Sequence, residues 1–213
     1  MDLIVRIDND INRAIEARKL YIIYMMRRIF MKNPYEICPT FETESFILRL
    51  VSEEDSEDLL KCYSDSKAQK IFNSDRCTGD FCIYTIEDML QCTKAWLYAY
   101  SQQEFIRFAI IDKSLSKAIG TVEMFGYTGK YKIKTGILRV DVSSEYENAD
   151  YLNEIFSVCN ENFFDLFEVD MIATKAIPQA VERRNTLLKI DFCEGNAYEG
   201  EHYFLRSNKH NLQ

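Results

Sequence analysis

Between residues 137 and 175 the chain spells a strand, a long amphipathic helix and a second strand, and that order dictates a parallel pairing. Ile137-Leu-Arg-Val-Asp-Val142 is short, apolar and β-branched. From residue 150 the apolar positions are Leu152, Ile155, Phe156, Cys159, Phe163 and Leu166, the spacing of a helix with one buried face. Asp170-Met-Ile-Ala-Thr-Lys175 follows as the second strand. Two neighbouring strands joined through a helix cannot form a hairpin. The helix must cross one face of the sheet, and the strands run parallel. This unit places the chain among the α/β folds.

The flanking segments fill out the sheet. Phe46-Ile-Leu-Arg-Leu-Val51 reads as a strand, and Ser52-Glu-Glu-Asp55 as the capped start of a helix that buries Leu59, Leu60 and Tyr63. A short helix is expected from Ala68 to Phe72, then a loop from Cys77 to Ile83. Thr85 caps a helix with apolar residues at 86, 89, 90, 96, 97 and 100. Phe105–Ile111 and Ala118–Phe125 lie at hairpin distance around a polar turn. Val181–Ile190 reads as a helix after Pro178, and Tyr203–Arg206 as a final strand. The expected architecture is a central mixed sheet of about six or seven strands flanked by helices.

Composition excludes several classes. The net charge is −8 and there is no basic run, which argues against nucleic acid as a partner. No apolar run reaches the ~18 residues that a membrane helix needs. The seven cysteines (38, 62, 77, 82, 92, 159 and 193) contain no C-x-x-C, and the only histidines are His202 and His210. No metal site of Cys/His spacing is therefore expected, and the thiols read as small apolar residues of a reducing, cytoplasmic protein.

Residues 1–30 stand apart. They carry Arg6, Arg13, Arg18, Lys19, Arg27 and Arg28 against four acidic residues, whereas the remainder is acidic. Helical spacing from Ile11 suggests an interaction helix, with a homodimer as one use. The alternative is a leader included upstream of a bacterial start at Met31, because Arg27-Arg28 can be encoded as a ribosome-binding sequence. Either way the main domain is expected to span 31–213.

The order of these elements resembles the GNAT (N-acetyltransferase) superfamily, and within it the branch of the ribosomal-protein N-terminal acetyltransferases. Residues 41 to 207 are covered. The resemblance rests on Phe46-Ile-Leu-Arg49, Ala118-Ile-Gly-Thr121, Ile137 to Tyr146 with the helix that follows, Met171-Ile-Ala-Thr-Lys175 and Leu187-Leu-Lys-Ile-Asp-Phe192. It implies transfer of an acetyl group from acetyl-CoA to a primary amine on a small molecule or peptide. It further implies that the pantetheine arm lies along Val140, Asp141, Val142 and Ser143. The pyrophosphate would meet the loop and helix start at Tyr146, Asn148, Ala149, Asp150 and Tyr151.

The family loop reads Arg/Gln-x-x-Gly-x-Gly/Ala, and here it has no glycine. Asp150 stands at the key glycine position, with Glu145 and Glu147 nearby. Two unit charges ~6 Å apart at an effective dielectric of ~20 repel by about 3 kcal/mol, so acetyl-CoA is expected to bind weakly. Arg183, Arg184 and Lys189 either grip the phosphates or form a solvated helix face. In the family's Asn-x-x-Ser and Gly-Phe signatures this chain has Ala180, Arg183 and Asp191. Glu123 is the candidate base, or else an exposed strand residue or an ion-pair partner of Arg139. Tyr203 is the candidate acid for the departing thiolate, or else a core residue. A second function class stays open: a GNAT-fold binding or regulatory module that no longer uses acetyl-CoA.

Overall fold

Apolar alternation decides which face each strand presents. In Ile106–Asp112 the residues Phe108 and Ile110 are fully buried on one side, while Arg107 and Ala109 are buried on the other. Both faces of the sheet are therefore covered. The computed structural model describes Arg18 and residues 33–75, 77, 79, 81–128, 134–196 and 200–208. Two compact units partition the chain, Met1–Ile37 and Cys38–Gln213. In the first, residues 33–37 form a turn in which the Asn33 side chain accepts from the Tyr35 N–H. The helix expected within residues 1–30 lies outside the described residues apart from Arg18, and so does His210.

The second unit carries the sheet. Its strands are β1 (Phe41–Glu42), β2 (Phe46–Leu50), β3 (Ile106–Asp112), β4 (Lys117–Thr128), β5 (Lys134–Val142), β6 (Met171–Lys175), β7 (Cys193–Glu194) and β8 (Tyr203–Ser207). The order across the sheet is β1-β2-β3-β4-β5-β6-β8-β7. β5 and β6 pair in parallel, with Thr135 opposite Met171 and Leu138 opposite Thr174, and the other pairs are antiparallel. Among the described residues there are thus eight strands rather than six or seven. The additions are the two-residue strands at the edges, which are too short to leave a periodic signal.

Among the described residues, four α-helices flank the sheet: α1 (Ser56–Tyr63), α2 (Ile86–Ser101), α3 (Ala149–Leu166) and α4 (Val181–Lys189). Thr85 caps α2 by accepting from the Asp88 N–H at 3.1 Å. The expected helix at 68–72 is a single 3-10 turn, Ala68–Lys70. On one face Leu59, Tyr63, Met89 and Trp96 pack on Ala109 and Val51. On the other, Phe163 of α3 lies 5.4 Å from Phe108 and 5.8 Å from Phe41, centroid to centroid. Gly120 sets the spacing of the centre. A Cβ there would lie 2.1 Å from the Asp141 carbonyl oxygen, so only glycine lets β4 and β5 approach as they do.

Candidate active site

Three polar clusters surround the end of the β5–β6 pair. The first is inside the sheet. Arg107, Glu123 and Arg139 are cross-strand partners on β3, β4 and β5, and Thr121 faces Asp141 in the same way. All project toward α1 and α2, because alternation puts odd-numbered residues of these strands on one face. Glu123 gives one carboxylate oxygen to Arg107 and the other to Arg139. Asp141 Oδ2 accepts from Tyr63 at 3.2 Å and from Arg107 at 3.4 Å. The indole of Trp96 lies 4.1 Å from the Arg107 guanidinium carbon. Two cations and two anions, all buried, thus neutralise one another.

Burial raises the Asp141 pKa above the usual carboxylate value, with Arg107 opposing, and burial also pushes the Tyr63 phenol well up. Among the described residues, Asp141 Oδ1 and the Nε atoms of Arg107 and Arg139 find no hydrogen-bond partner.

The second cluster is tied together by Asp75, from the loop after α1. Its carboxylate accepts from Lys175 Nζ at 2.6 Å and from the Tyr203 hydroxyl at 3.1 Å. Its backbone carbonyl accepts from Arg139 at 2.8 Å. Asn73 donates to the Tyr203 hydroxyl at 3.3 Å. One loop residue therefore binds side chains from β5, β6 and β8.

The third cluster lies where β5 and β6 part. Their ladder ends at Leu138 and Thr174, while β5 runs on to Val142. The Ser143 N–H donates to Ile119 on the β4 side. Successive residues of a strand turn their peptide groups to opposite sides, so Val140 and Val142 face the parted side. Arg183, from the first turn of α4, fills that position. It donates to the Val140 carbonyl at 2.8 Å and forks onto Glu147 with two hydrogen bonds of 2.7 Å. Its side chain is 2% exposed and that of Glu147 10%. Burial lowers the Arg183 pKa, but the Glu147 carboxylate more than offsets it and the net shift is upward.

The expected site residues divide accordingly. Val140, Val142 and Arg183 meet at the parting. Asp141 turns its side chain into the sheet cluster with Glu123, and Tyr203 joins the Asp75 cluster. Ser143 spends its N–H and hydroxyl on Ile119. Tyr146 is buried and donates to Asp112 at 2.8 Å. Tyr151 packs its ring on Phe46 and Tyr146. Asn148 caps α3 through the Tyr151 N–H, and Ala149 is the first residue of that helix. Asp150 lines a groove of about 500 Å³ with Glu42, Glu44, Glu154 and Glu161. The carboxylate that meets the basic residue at the parting is Glu147, not Asp150.

Of the three basic residues on α4, Arg183 is buried, Arg184 bonds Ala176 and Glu194, and only Lys189 is solvated. Of the two alternatives for these residues, the solvated helix face is corrected for Arg183 and Arg184 and holds for Lys189. Neither is Glu123 an exposed strand residue, since both its oxygens are in ion pairs. His202 stands beside Glu201 at 3.8 Å. None of the seven cysteines is in a disulfide, and burial raises the thiol pKa of Cys38 and Cys92 to about 11. Cys193 is exposed and departs from the buried role expected for the thiols.

Sequence reasoning missed Arg107, Tyr63, Asp75 and Lys175. Arg107 had left a signal, a lone charge inside Phe105-Ile-Arg-Phe-Ala-Ile-Ile111, where a buried strand tolerates a cation only with a partner. No helix among the described residues is long and apolar enough to cross a membrane, and none of them groups into a metal-binding set.

No family profile matches the sequence, and no curated protein does so either. Solved structures match the fold. The chain is similar to a ribosomal-protein-S5-alanine acetyltransferase from Vibrio fischeri, at 17% identity and TM-score 0.62, over 80% of this chain and 97% of that one. An acetyltransferase of the GNAT family from Bacillus anthracis aligns at 18% identity and TM-score 0.60, over 79% and 98%. RimJ from Mycobacterium smegmatis, solved in complex with a CoA disulfide, aligns at 11% identity and TM-score 0.63, over 79% and 84%. The architecture of this chain is the GNAT acetyltransferase fold.

Proposed function

We propose that this GNAT-fold chain is an N-acyltransferase that moves an acetyl group from acetyl-CoA to a primary amine. The observation that carries the reading is the parting of β5 and β6 beyond Leu138. It leaves the Val140 and Val142 peptide groups turned to an edge without a strand, beside the N-terminus of α3. An extended arm bearing amides can bond to such an edge as a strand would. Helix N-termini attract phosphate through free N–H groups and the dipole.

The backbone fits acetyl-CoA, and the side chains as they stand do not. Arg183 already occupies the Val140 carbonyl, and Glu147 adds negative charge at the loop. Asp75 and Asn73 hold the Tyr203 hydroxyl, the candidate proton donor, in one orientation. Glu123 anchors Arg107 and Arg139, and taking a proton would require it to release one of them. We therefore assign Glu123 a positioning role. The similarity to ribosomal-protein acetyltransferases favours a peptide or protein N-terminus as acceptor.

A second reading is favoured by the Arg183–Glu147–Val140 cluster itself: a binding or regulatory module whose slot is closed for good. Incubation of the full chain with acetyl-CoA and a panel of amines, followed by mass spectrometry and free-thiol release, separates the two. The panel holds N-terminal peptides, a polyamine and an aminoglycoside. Acetylated product from any of them supports the enzyme. Absence of product together with absence of calorimetric binding of acetyl-CoA overturns it in favour of the module.

A further inference from the structure

We infer that Arg183 and Glu147 form an internal plug that occupies the pantetheine position of the slot and must open before acetyl-CoA can enter. This rests on the acetyl-CoA reading above and adds a regulatory device to the same site. The guanidinium donates to the Val140 carbonyl at 2.8 Å, the bond that an inserted amide N–H would make along this edge. The remaining fork is spent on Glu147, so the plug carries its own counter-charge and leaves no buried cation unpaired.

Three elements meet in it, β5, the turn before α3 and the first turn of α4, and no strand ladder joins them there. Ser144–Tyr146 is a single 3-10 turn, and Glu147 follows it directly. A contact of this kind opens as a unit. When Arg183 and Glu147 swing away together, the Val140 edge is freed. Closed, the pair competes with the ligand for the same carbonyl. The apparent affinity is then the intrinsic affinity reduced by the fraction of open molecules.

The test follows acetyl-CoA binding by stopped flow and calorimetry in the full chain, as wild type, Glu147→Gln and the double variant Arg183→Ser/Glu147→Gln. The double variant leaves neither charge stranded, and circular dichroism checks that it folds. In wild type the observed association rate should level off at high acetyl-CoA, limited by opening. In the double variant it should rise in proportion to concentration, with Kd lower by about tenfold or more. If the double variant does not fold, Glu147→Gln alone decides, with a gain of about threefold or more expected.

Equal affinity and equal rates in wild type and variants overturn the plug. Wild type that transfers acetyl groups while the variants change nothing overturns the plug alone. A variant that binds more tightly, from a wild type that neither binds acetyl-CoA nor transfers its acetyl group, upholds the plug and overturns the enzyme reading. If neither wild type nor variants bind, both fall.

Discussion

Arg107 and Arg183 are each 1% exposed and each is paired with a glutamate, yet they sit in different mechanical settings. Arg107, Glu123 and Arg139 stand on three adjacent strands whose antiparallel register is regular around them, from Ile106 to Ile110 on β3 and along β4 and β5. Arg183 and Glu147 stand on two elements that face each other across the gap where the sheet parts. The chemistry is the same in both places. In the first, the backbone holds the charges together whether or not they attract. In the second, the charges themselves hold the gap shut. A buried ion pair inside a sheet is therefore part of the scaffold, and one across a gap can act as a latch.

Removing one partner from the scaffold cluster should have the largest effect. Glu123→Gln takes the shared carboxylate from two buried guanidiniums and should cost ~3–5 kcal/mol in urea unfolding. A loss within ~1 kcal/mol would show that the cluster is open to water after all. At the latch the expectation differs in kind. Arg183→Ser alone strands the Glu147 carboxylate and should cost ~2–3 kcal/mol, whereas the double variant with Glu147→Gln should recover most of it. Costs that simply add would mean that the two side chains do not act as a pair.

Acid titration sharpens the contrast through two carboxylates shifted in opposite directions. Asp65 accepts the Ser144 N–H at 2.8 Å and so ties the end of α1 to the turn that carries the latch. Burial acts to raise its pKa, but the bonds from Ser144, Lys67 and Ala68 win, and it falls to about 2. Its contribution is full above the unfolded value of ~3.9 and is lost as the pH falls through about 2. Asp65→Asn should flatten that loss. Asp141, raised by burial, works the other way. The folded state holds its proton more tightly, so stability declines as pH rises from ~3.9 through the folded value. Denaturant melts at stepped pH, wild type against each Asn variant, read both signs.

The smallest effect concerns a local strain. Asp191 has φ 66°, the left-handed conformation that follows α4. Asp191→Gly should stabilise the chain by about 1 kcal/mol, measured as a shift in the urea midpoint.

Much of the scaffold was legible in the sequence because it rests on periodicity. The β5–α3–β6 unit, the Thr85 cap and the β3–β4 hairpin follow from apolar spacing and polar turns. The positive φ at Asp191 was also half-visible, since that position is a glycine in the resembling family. The site was less legible because its residues act across elements. Glu147 and Arg183 are 36 positions apart and meet only once α4 packs beside α3. Asp75 lies in an irregular loop, and its reach to Lys175 and Tyr203 leaves no spacing signal. Asp150 drew attention as the charge on a glycine position, but the helix start turned it toward the groove beside Glu154.

The contrast between scaffold and latch is tested most directly by the Nε–H signals of the two arginines in nitrogen-15 NMR, followed during addition of acetyl-CoA to the wild-type chain. Arg183 Nε donates to Glu147, whereas Arg107 Nε has no partner among the described residues, so the two report on separate environments. The account predicts that the Arg183 signal shifts or broadens as acetyl-CoA is added, while the Arg107 signal holds its position. Acetyl-CoA binding that leaves Arg183 untouched, or that moves both signals alike, would contradict it.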